Sequence, residues 1–315
     1  MRKVLAPVLV ALGIFSLVLA GLLRFYAPSR VEKAPLDLKV PQQVAAGPAK
    51  VYNVSAAKLE DVQLLATRQV VTDSAASDSK VAVLQVTLCI VKAVDDPPFC
   101  GTDPRDPRIV RVVVDRAPAD RKTALAVNDA KYNENIDGAP VKHQGLTYKW
   151  PFHAKKTTYK FFDVNSKLAP DARFIGTDKV KGLVTYKYEA VIDKAPLEVA
   201  AGVPGLYSDT RVVWVEPRTG VIVNGTQHQV RTTTDGTLVF ETDLAFTAAT
   251  IDHQSKLAKD GVSKLRLLTV IAPLILLLVA VLAFAGAFLL YRRADGDGHR
   301  AEPGQPATTV SAPPR

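Results

Sequence analysis

One segment of the chain, residues 148–163, combines aromatic and basic side chains densely enough to suggest ligand binding. Its aromatic residues are Tyr148, Trp150, Phe152, Tyr159, Phe161 and Phe162, and its lysines are Lys149, Lys155, Lys156 and Lys160. Aromatic rings combined with ammonium groups bind lipids, glycans or membrane surfaces. The same residue types also build the cores of β-sheets. The segment therefore predicts either a ligand-binding surface or a core, and the sequence leaves both open.

The candidate ligand-binding residues in this segment are Tyr148, Trp150, Phe152, Tyr159, Phe162 and Asp163. Asp163 differs from the others because its carboxylate follows two phenylalanines. A carboxylate in that position accepts hydrogen bonds from its own neighbourhood, so Asp163 is also expected to fix a turn.

Motifs of known catalytic chemistry are missing from the sequence. It contains no Gly-x-Ser-x-Gly elbow, no His-Glu-x-x-His, no phosphate-binding loop and no dinucleotide fingerprint. The five histidines are His143, His153, His228, His253 and His299, and each is expected to be an ordinary surface or core residue. No catalytic residue and no cofactor is therefore predicted, and the protein is expected not to be an enzyme. Carboxylates are abundant, so a glycan-modifying enzyme with paired carboxylates remains an alternative.

Two cysteines, Cys89 and Cys100, flank a turn-rich stretch at residues 95–99. A disulfide across that loop is sterically easy and would stabilise the fold by roughly 3 kcal/mol. Disulfides persist in oxidising compartments, so this one would indicate export. The alternative is two unpaired buried thiols. The spacing matches no metal-binding motif, and no metal site is predicted.

Two long uncharged segments, residues 4–23 and 267–291, lie toward opposite ends of the chain. As helices of about 20 and about 25 residues, both are long enough to cross the hydrocarbon core of a bilayer. If both cross, the two termini lie on the same side. We expect a two-pass protein of the plasma membrane with a large extracytoplasmic domain and cytoplasmic termini.

The first apolar segment also resembles a signal peptide, because Arg2 and Lys3 precede it and Ala20 suits a cleavage site. Its apolar run is longer than a usual signal core. An uncleaved signal anchor is therefore favoured over a cleaved signal peptide.

The net charge of +9 does not indicate nucleic-acid binding. Lysines and arginines are scattered among acidic residues, and no block resembles a nucleic-acid-binding arm. Several basic residues flank the apolar segments, where they suit anionic lipid headgroups.

The polar middle of the chain predicts an α+β fold, with a mainly antiparallel β domain between two transmembrane helices. Expected strands are residues 81–91, 108–115, 146–152, 157–163 and 182–193, followed by hairpins at 211–223 and 229–241. Residues 28–50 predict an extended lead-in, and residues 243–261 predict a helix. The expected domains are a signal anchor at 1–27, a β-rich domain at 28–262, a helix at 263–291 and a disordered tail at 292–315.

The strand at 182–193 has the clearest alternation. Val184, Tyr186, Tyr188, Ala190 and Ile192 are expected to share one face, opposite the polar residues between them.

Five ordered motifs resemble one protein family. They are DRKTA at 120–124, HQGLTYKWPF at 143–152, KKTTYKFFD at 155–163, GLVTY at 182–186 and WVEPRTG at 214–220. Together with the two apolar segments, they make nearly the whole chain apart from the tail similar to the DUF3068 or PorA-type porin family. The resemblance implies an actinobacterial cell-envelope protein, and some members are connected with building envelope lipoglycans. It brings no catalytic residues.

These observations favour a non-enzymatic envelope protein whose external domain binds or passes along an envelope lipid or lipoglycan. The expected partners are that lipid or lipoglycan and envelope-assembly proteins. An oligomeric porin-like channel is an alternative. A channel would need several copies, because two uncharged apolar helices cannot line a water-filled pore alone.

Overall fold

The computed structural model describes residues 2–37, 39–94, 100 and 106–298. The chain divides into two compact units, Met1–Val31 with Leu265–Arg315 and Glu32–Lys264. The turn predicted at 95–99 lies outside the described residues, as does the predicted tail beyond residue 298.

The long helices contain the apolar segments of the sequence. The helices are α1 (Arg2–Gly21), α2 (Ala27–Val31), α3 (Ala248–Arg266) and α4 (Ala272–Gly298), with π-helical turns at Leu22–Tyr26 and Leu267–Ile271 and a 3-10 turn at Ala130–Tyr132. The helical stretches Val4–Val31 and Ala248–Arg292 are long and apolar enough to cross a membrane, by length and composition. Large apolar side chains such as Phe15, Leu282 and Phe288 are exposed along them. Such a surface favours an apolar surrounding over water.

Small residues form the contact between α1 and α4. Ala6 and Ala20 of α1 and Ala283 of α4 are buried. A Cβ atom added at Gly13 would lie 2.8 Å from the Phe284 ring. Helices in lipid associate through such small residues because they let the backbones approach closely.

The unit Glu32–Lys264 is built on one twelve-stranded antiparallel sheet. Its strands are β1 (Lys39–Asn53), β2 (Lys58–Asp73), β3 (Val81–Lys92), β4 (Ile109–Asp120), β5 (Asn135–Ile136), β6 (Ala139–Pro140), β7 (Tyr159–Lys160), β8 (Asp171–Val180), β9 (Leu183–Ala200), β10 (Val203–Glu216), β11 (Val221–Thr233) and β12 (Leu238–Phe246). The strand order is β6-β5-β4-β3-β2-β1-β12-β11-β10-β9-β8-β7. Two meanders, β1–β6 and β7–β12, therefore meet where β1 pairs with β12. The predicted α+β class is confirmed.

This order places β6 and β7 at opposite edges of the sheet, although they are neighbours in sequence. The chain between them must therefore cross from one edge to the other. We call residues 141–170, which connect β6 to β8 and include β7, the crossing segment. The whole aromatic–lysine stretch at 148–163 belongs to it, so the topology carries those side chains over the sheet.

The prediction of an extended lead-in at 28–50 is wrong, because β1 occupies the centre of the sheet between β2 and β12. Prolines, alanines and Gly47 hide the alternation of this strand. A Cβ atom at Gly47 would lie 1.8 Å from the carbonyl oxygen of Asp243. Glycine is therefore needed for β1 to approach β12.

The strand predicted at 146–152 is not formed. Leu146 makes isolated bridges to Leu125 and Phe161, and the Trp150 amide donates to the Gly220 carbonyl at 3.1 Å. Its backbone groups thus bond to several elements instead of one neighbouring strand. The strand predicted at 157–163 shrinks to β7 for the same reason.

The alternation predicted for 182–193 holds only in part. Tyr188, Ala190 and Ile192 are buried, but Thr185 is fully buried and Val184 is 51% exposed. A register shift between β8 and β9 near Gly176 accompanies the change. An irregularity of this kind changes which side chains face the core.

The remaining predicted elements are found with altered ends. The strands at 81–91 and 108–115 correspond to β3 and to the first part of β4, and both predicted hairpins are present. The predicted helix begins at Ala248, five residues late, because residues 243–246 belong to β12. The predicted disulfide joins Cys89 and Cys100, whose Cα atoms are 5.9 Å apart.

Candidate ligand-binding cavity

The sheet curves around a cavity of about 130 Å³. Strands β1–β4 form one side, β10–β12 form the other, and the crossing segment closes it. The sheet must therefore curve far enough for β4 and β11 to line the same space.

Most of the cavity wall is apolar. Its apolar side chains include Val86, Leu88, Ile90, Val113, Phe161, Phe162, Val164, Val213, Ile222, Phe240, Leu244 and Phe246. An apolar protein cavity of about 150 Å³ admits a small aromatic molecule. The space is therefore suited to part of an apolar chain.

One cation in the cavity wall has no acidic partner. Arg68 lies on β2 at a position facing inward, and its Nε donates to Gln43 Oε1 at 2.7 Å. Its guanidinium lies 5.7 Å from the centre of the Tyr148 ring. Among the described residues, no carboxylate pairs with it. Burial lowers the pKa of Arg68 to about 10, so it stays charged at neutral pH.

The Tyr148 hydroxyl belongs to a network of buried hydrogen bonds. It donates to Asp115 Oδ2, while Asp115 Oδ1 lies 2.8 Å from His143 Nε2. The other ring nitrogen, His143 Nδ1, lies 3.2 Å from Glu134 Oε2. Both nitrogens thus face carboxylates, which favours the charged imidazolium. Burial alone lowers the pKa of His143, but the hydrogen bonds and charges of Asp115 and Glu134 outweigh it and raise this pKa.

The second arginine of the wall, Arg211, is compensated. It lies 2.8 Å from Asp163 Oδ2 and 3.2 Å from Asp209 Oδ2. These carboxylates raise the pKa of Arg211, although burial opposes the shift. Burial raises the pKa of Asp209 as well. Arg68 is thus the cavity arginine whose charge is left for another group.

The structure separates the six predicted ligand-binding residues. Tyr148 and Phe162 line the cavity. Trp150 is fully buried in a core cluster that also contains Tyr188, with Tyr159 packed against it. Residues in such a cluster stabilise the fold, so they are poor probes of ligand contact.

Phe152 and Asp163 lie outside the cavity lining. The Lys149 ammonium sits 3.9 Å from the centre of the Phe152 ring and donates to the Trp150 carbonyl. Burial lowers the pKa of Lys149 to about 7. Asp163 Oδ1 accepts from the Asn165 and Ser166 amides at 3.1 and 2.8 Å. It therefore fixes a turn, as expected, and orients Arg211.

Arg68 and the strands that supply most of the cavity wall are not among the predicted site residues. The signal was present in β2, where Leu64, Ala66, Arg68 and Val70 alternate on one face. A charge on an otherwise apolar face indicates a functional or paired position. Asp115 interrupts the inward face of β4 in the same way. Over the described part of the chain, no group of three or more His, Cys, Asp or Glu residues suits a metal ion.

The structure combines two helical stretches that are long and apolar enough to cross a membrane with a curved antiparallel β domain. The family of this chain follows from the comparison of sequences. The profile described as Porin PorA matches residues 5–289, and the chain belongs to this family. The predicted family is confirmed.

Two relatives named Porin PorA show the range of this similarity. The protein from Corynebacterium amycolatum is 26% identical, over 48% of this chain and 50% of its own length. The protein from Corynebacterium resistens is 29% identical, over 31% of this chain and 26% of its own length. The chain thus spans about half the length of the first relative and less of the second.

Proposed function

We propose that the β domain binds an envelope lipid or lipoglycan and holds part of its apolar portion in the cavity. The observation that carries this proposal is the apolar lining supplied by strands from both meanders and closed by the crossing segment. Burying apolar ligand surface there gains about 25 cal/mol per Å². The cavity is small, so most of such a ligand would remain outside it.

The remainder of the proposal follows from the membrane setting. The protein acts without catalysis in the plasma membrane, with the β domain extracytoplasmic and both termini cytoplasmic. It receives or delivers its ligand at the bilayer and cooperates with envelope-assembly proteins. The Cys89–Cys100 disulfide supports the external placement, since such bonds persist in oxidising compartments.

Native mass spectrometry of protein extracted gently from its own membrane tests this function. We expect a copurifying envelope lipid or lipoglycan on the wild type and at least a several-fold lower occupancy on Ala66→Phe, which places a ring in the cavity. Ala56→Phe is the matched control because Ala56 lies in an exposed turn. A ligand-free wild type, or equal occupancy in both variants at unchanged melting temperature, would contradict the proposal.

An oligomeric channel is the second candidate, and the name of the family favours it. Residues 4–23 and 267–291 contain no charged side chain, so several copies would have to assemble around water. Stepwise conductance of purified protein in a planar bilayer would support this alternative. If conductance persists in Ala66→Phe, the channel activity does not depend on a ligand in the cavity.

A further inference from the structure

We infer that Arg68 is the recognition point for an acidic group, a carboxylate or phosphate, on the ligand of the cavity. This inference rests on the proposed function and adds the chemical class of the ligand. Arg68 is a cavity cation that has no carboxylate partner among the described residues.

Burial of an unpaired cation is unfavourable unless a partner compensates it. Arg68 is half-buried in the cavity wall, where its Nε donates to Gln43. The ion pairs among the described residues do not include it, whereas Arg211 in the same wall has two carboxylate partners. A bound anion would supply the negative charge that the residues described in the structure do not place beside Arg68.

The neighbouring carboxylate cannot easily take this role. Asp115 also lines the cavity, but its carboxylate is already engaged, because Oδ2 accepts from the Tyr148 hydroxyl and Oδ1 lies 2.8 Å from His143 Nε2. The Tyr148 ring stands beside the guanidinium and presents a face to it. Together, Gln43 and Tyr148 hold the guanidinium in place, and such preorganisation strengthens recognition.

The surrounding wall explains why the anion would belong to an amphiphile. Leu88 is the cross-strand partner of Arg68 on β3, and Ala66 and Val86 also line the cavity. An acidic group at Arg68 would therefore place an attached alkyl chain against apolar side chains. Guanidinium groups bind carboxylates and phosphates bidentately, so both groups remain acceptable.

The test compares two probes of equal chain length, laurate and dodecanol, on the full-length protein in a neutral detergent. Titration calorimetry is expected to show laurate binding at least about ten-fold more tightly than dodecanol, because charged hydrogen bonds are the stronger ones. Arg68→Gln should abolish this preference while dodecanol affinity changes less than about three-fold. Arg68→Lys should retain part of it. Arg173→Gln removes an exposed arginine of β8 and should leave both affinities unchanged.

The possible results distinguish anion recognition by Arg68 from ligand binding in the cavity. If Arg68→Gln keeps both the laurate preference and the wild-type melting temperature, the inference is wrong, yet cavity binding stands. If the wild type binds neither probe, the proposed function fails as well. Inorganic phosphate is titrated as a third probe. Binding of phosphate that depends on Arg68 and matches laurate in affinity supports the anion site but assigns it to a free anion.

Discussion

At the scale of single residues, the interior of the β domain is organised by charged side chains of the strands and of the crossing segment. Arg211 and Asp163 form an ion pair, and His143 lies between two carboxylates. Buried charges are tolerated when they are paired and hydrogen-bonded. Arg68 departs from this pattern, and that departure is the reason for assigning it a ligand.

His143 makes stability depend on pH in a defined direction. Its folded-state pKa is raised, so its stabilising contribution is complete below the unfolded value of about 6.5 and is lost as pH rises through the folded value. His143→Gln should lower the free energy of unfolding by about 3 kcal/mol at pH 6, because two carboxylates lose their partner. This difference should shrink at higher pH.

Denaturant unfolding of the full-length protein at several pH values measures the effect of His143→Gln. His228→Gln provides the control, because His228 pairs with Asp243 at the exposed surface. The control should change stability by less than about 0.5 kcal/mol. A His143→Gln deficit that grows as pH rises would show that the imidazolium assignment is incorrect.

At the scale of elements, the contact between β1 and β12 joins the two meanders. Gly47→Ala places a Cβ atom 1.8 Å from a backbone oxygen of β12, so one of the strands must move. We expect a loss of at least about 2 kcal/mol in the free energy of unfolding, as is usual for forced backbone shifts. Thermal unfolding monitored by circular dichroism tests it.

Gly21→Ala is the control for this substitution, since no atom beyond its chain neighbours and the adjacent backbone of its own helix lies within 4 Å of the added Cβ. Alanine is also the better helix former, so this variant should keep or slightly raise the melting temperature. Equal melting temperatures for Gly47→Ala and the wild type would mean that β1 and β12 are not so closely paired.

At the scale of the whole molecule, the proposed topology places the β domain and the C-terminal tail on opposite sides of the membrane. Val54→Cys introduces a thiol at the exposed turn between β1 and β2. Ser311→Cys introduces one in the tail, outside the described residues. The native cysteines are held in a disulfide and do not compete. A membrane-impermeant maleimide on intact cells should label Val54→Cys, and Ser311→Cys only after permeabilisation. The reverse pattern would invert the topology.

Much of the architecture is readable from the sequence because it depends on local patterns. The two apolar segments, the disulfide, the hairpins β10–β11 and β11–β12 and the strand β3 each follow from neighbouring residues. Apolar length predicts a helix that can cross a bilayer, and alternation bounded by turn residues predicts hairpins. These features can be predicted without knowing which residues distant in sequence contact each other.

The sequence alone thus determined the two apolar helices, which are long enough to cross a membrane, and the antiparallel β domain between them. Only the tertiary structure decided where the aromatic segment and the charges lie. Because β1 joins the two meanders, β6 and β7 are at opposite edges, and the crossing segment must pass over the sheet. Along the crossing segment, Trp150 is buried, Tyr148 lines the cavity and Asp163 forms an ion pair with Arg211. These residues are far apart in sequence, so no local pattern could predict that they meet.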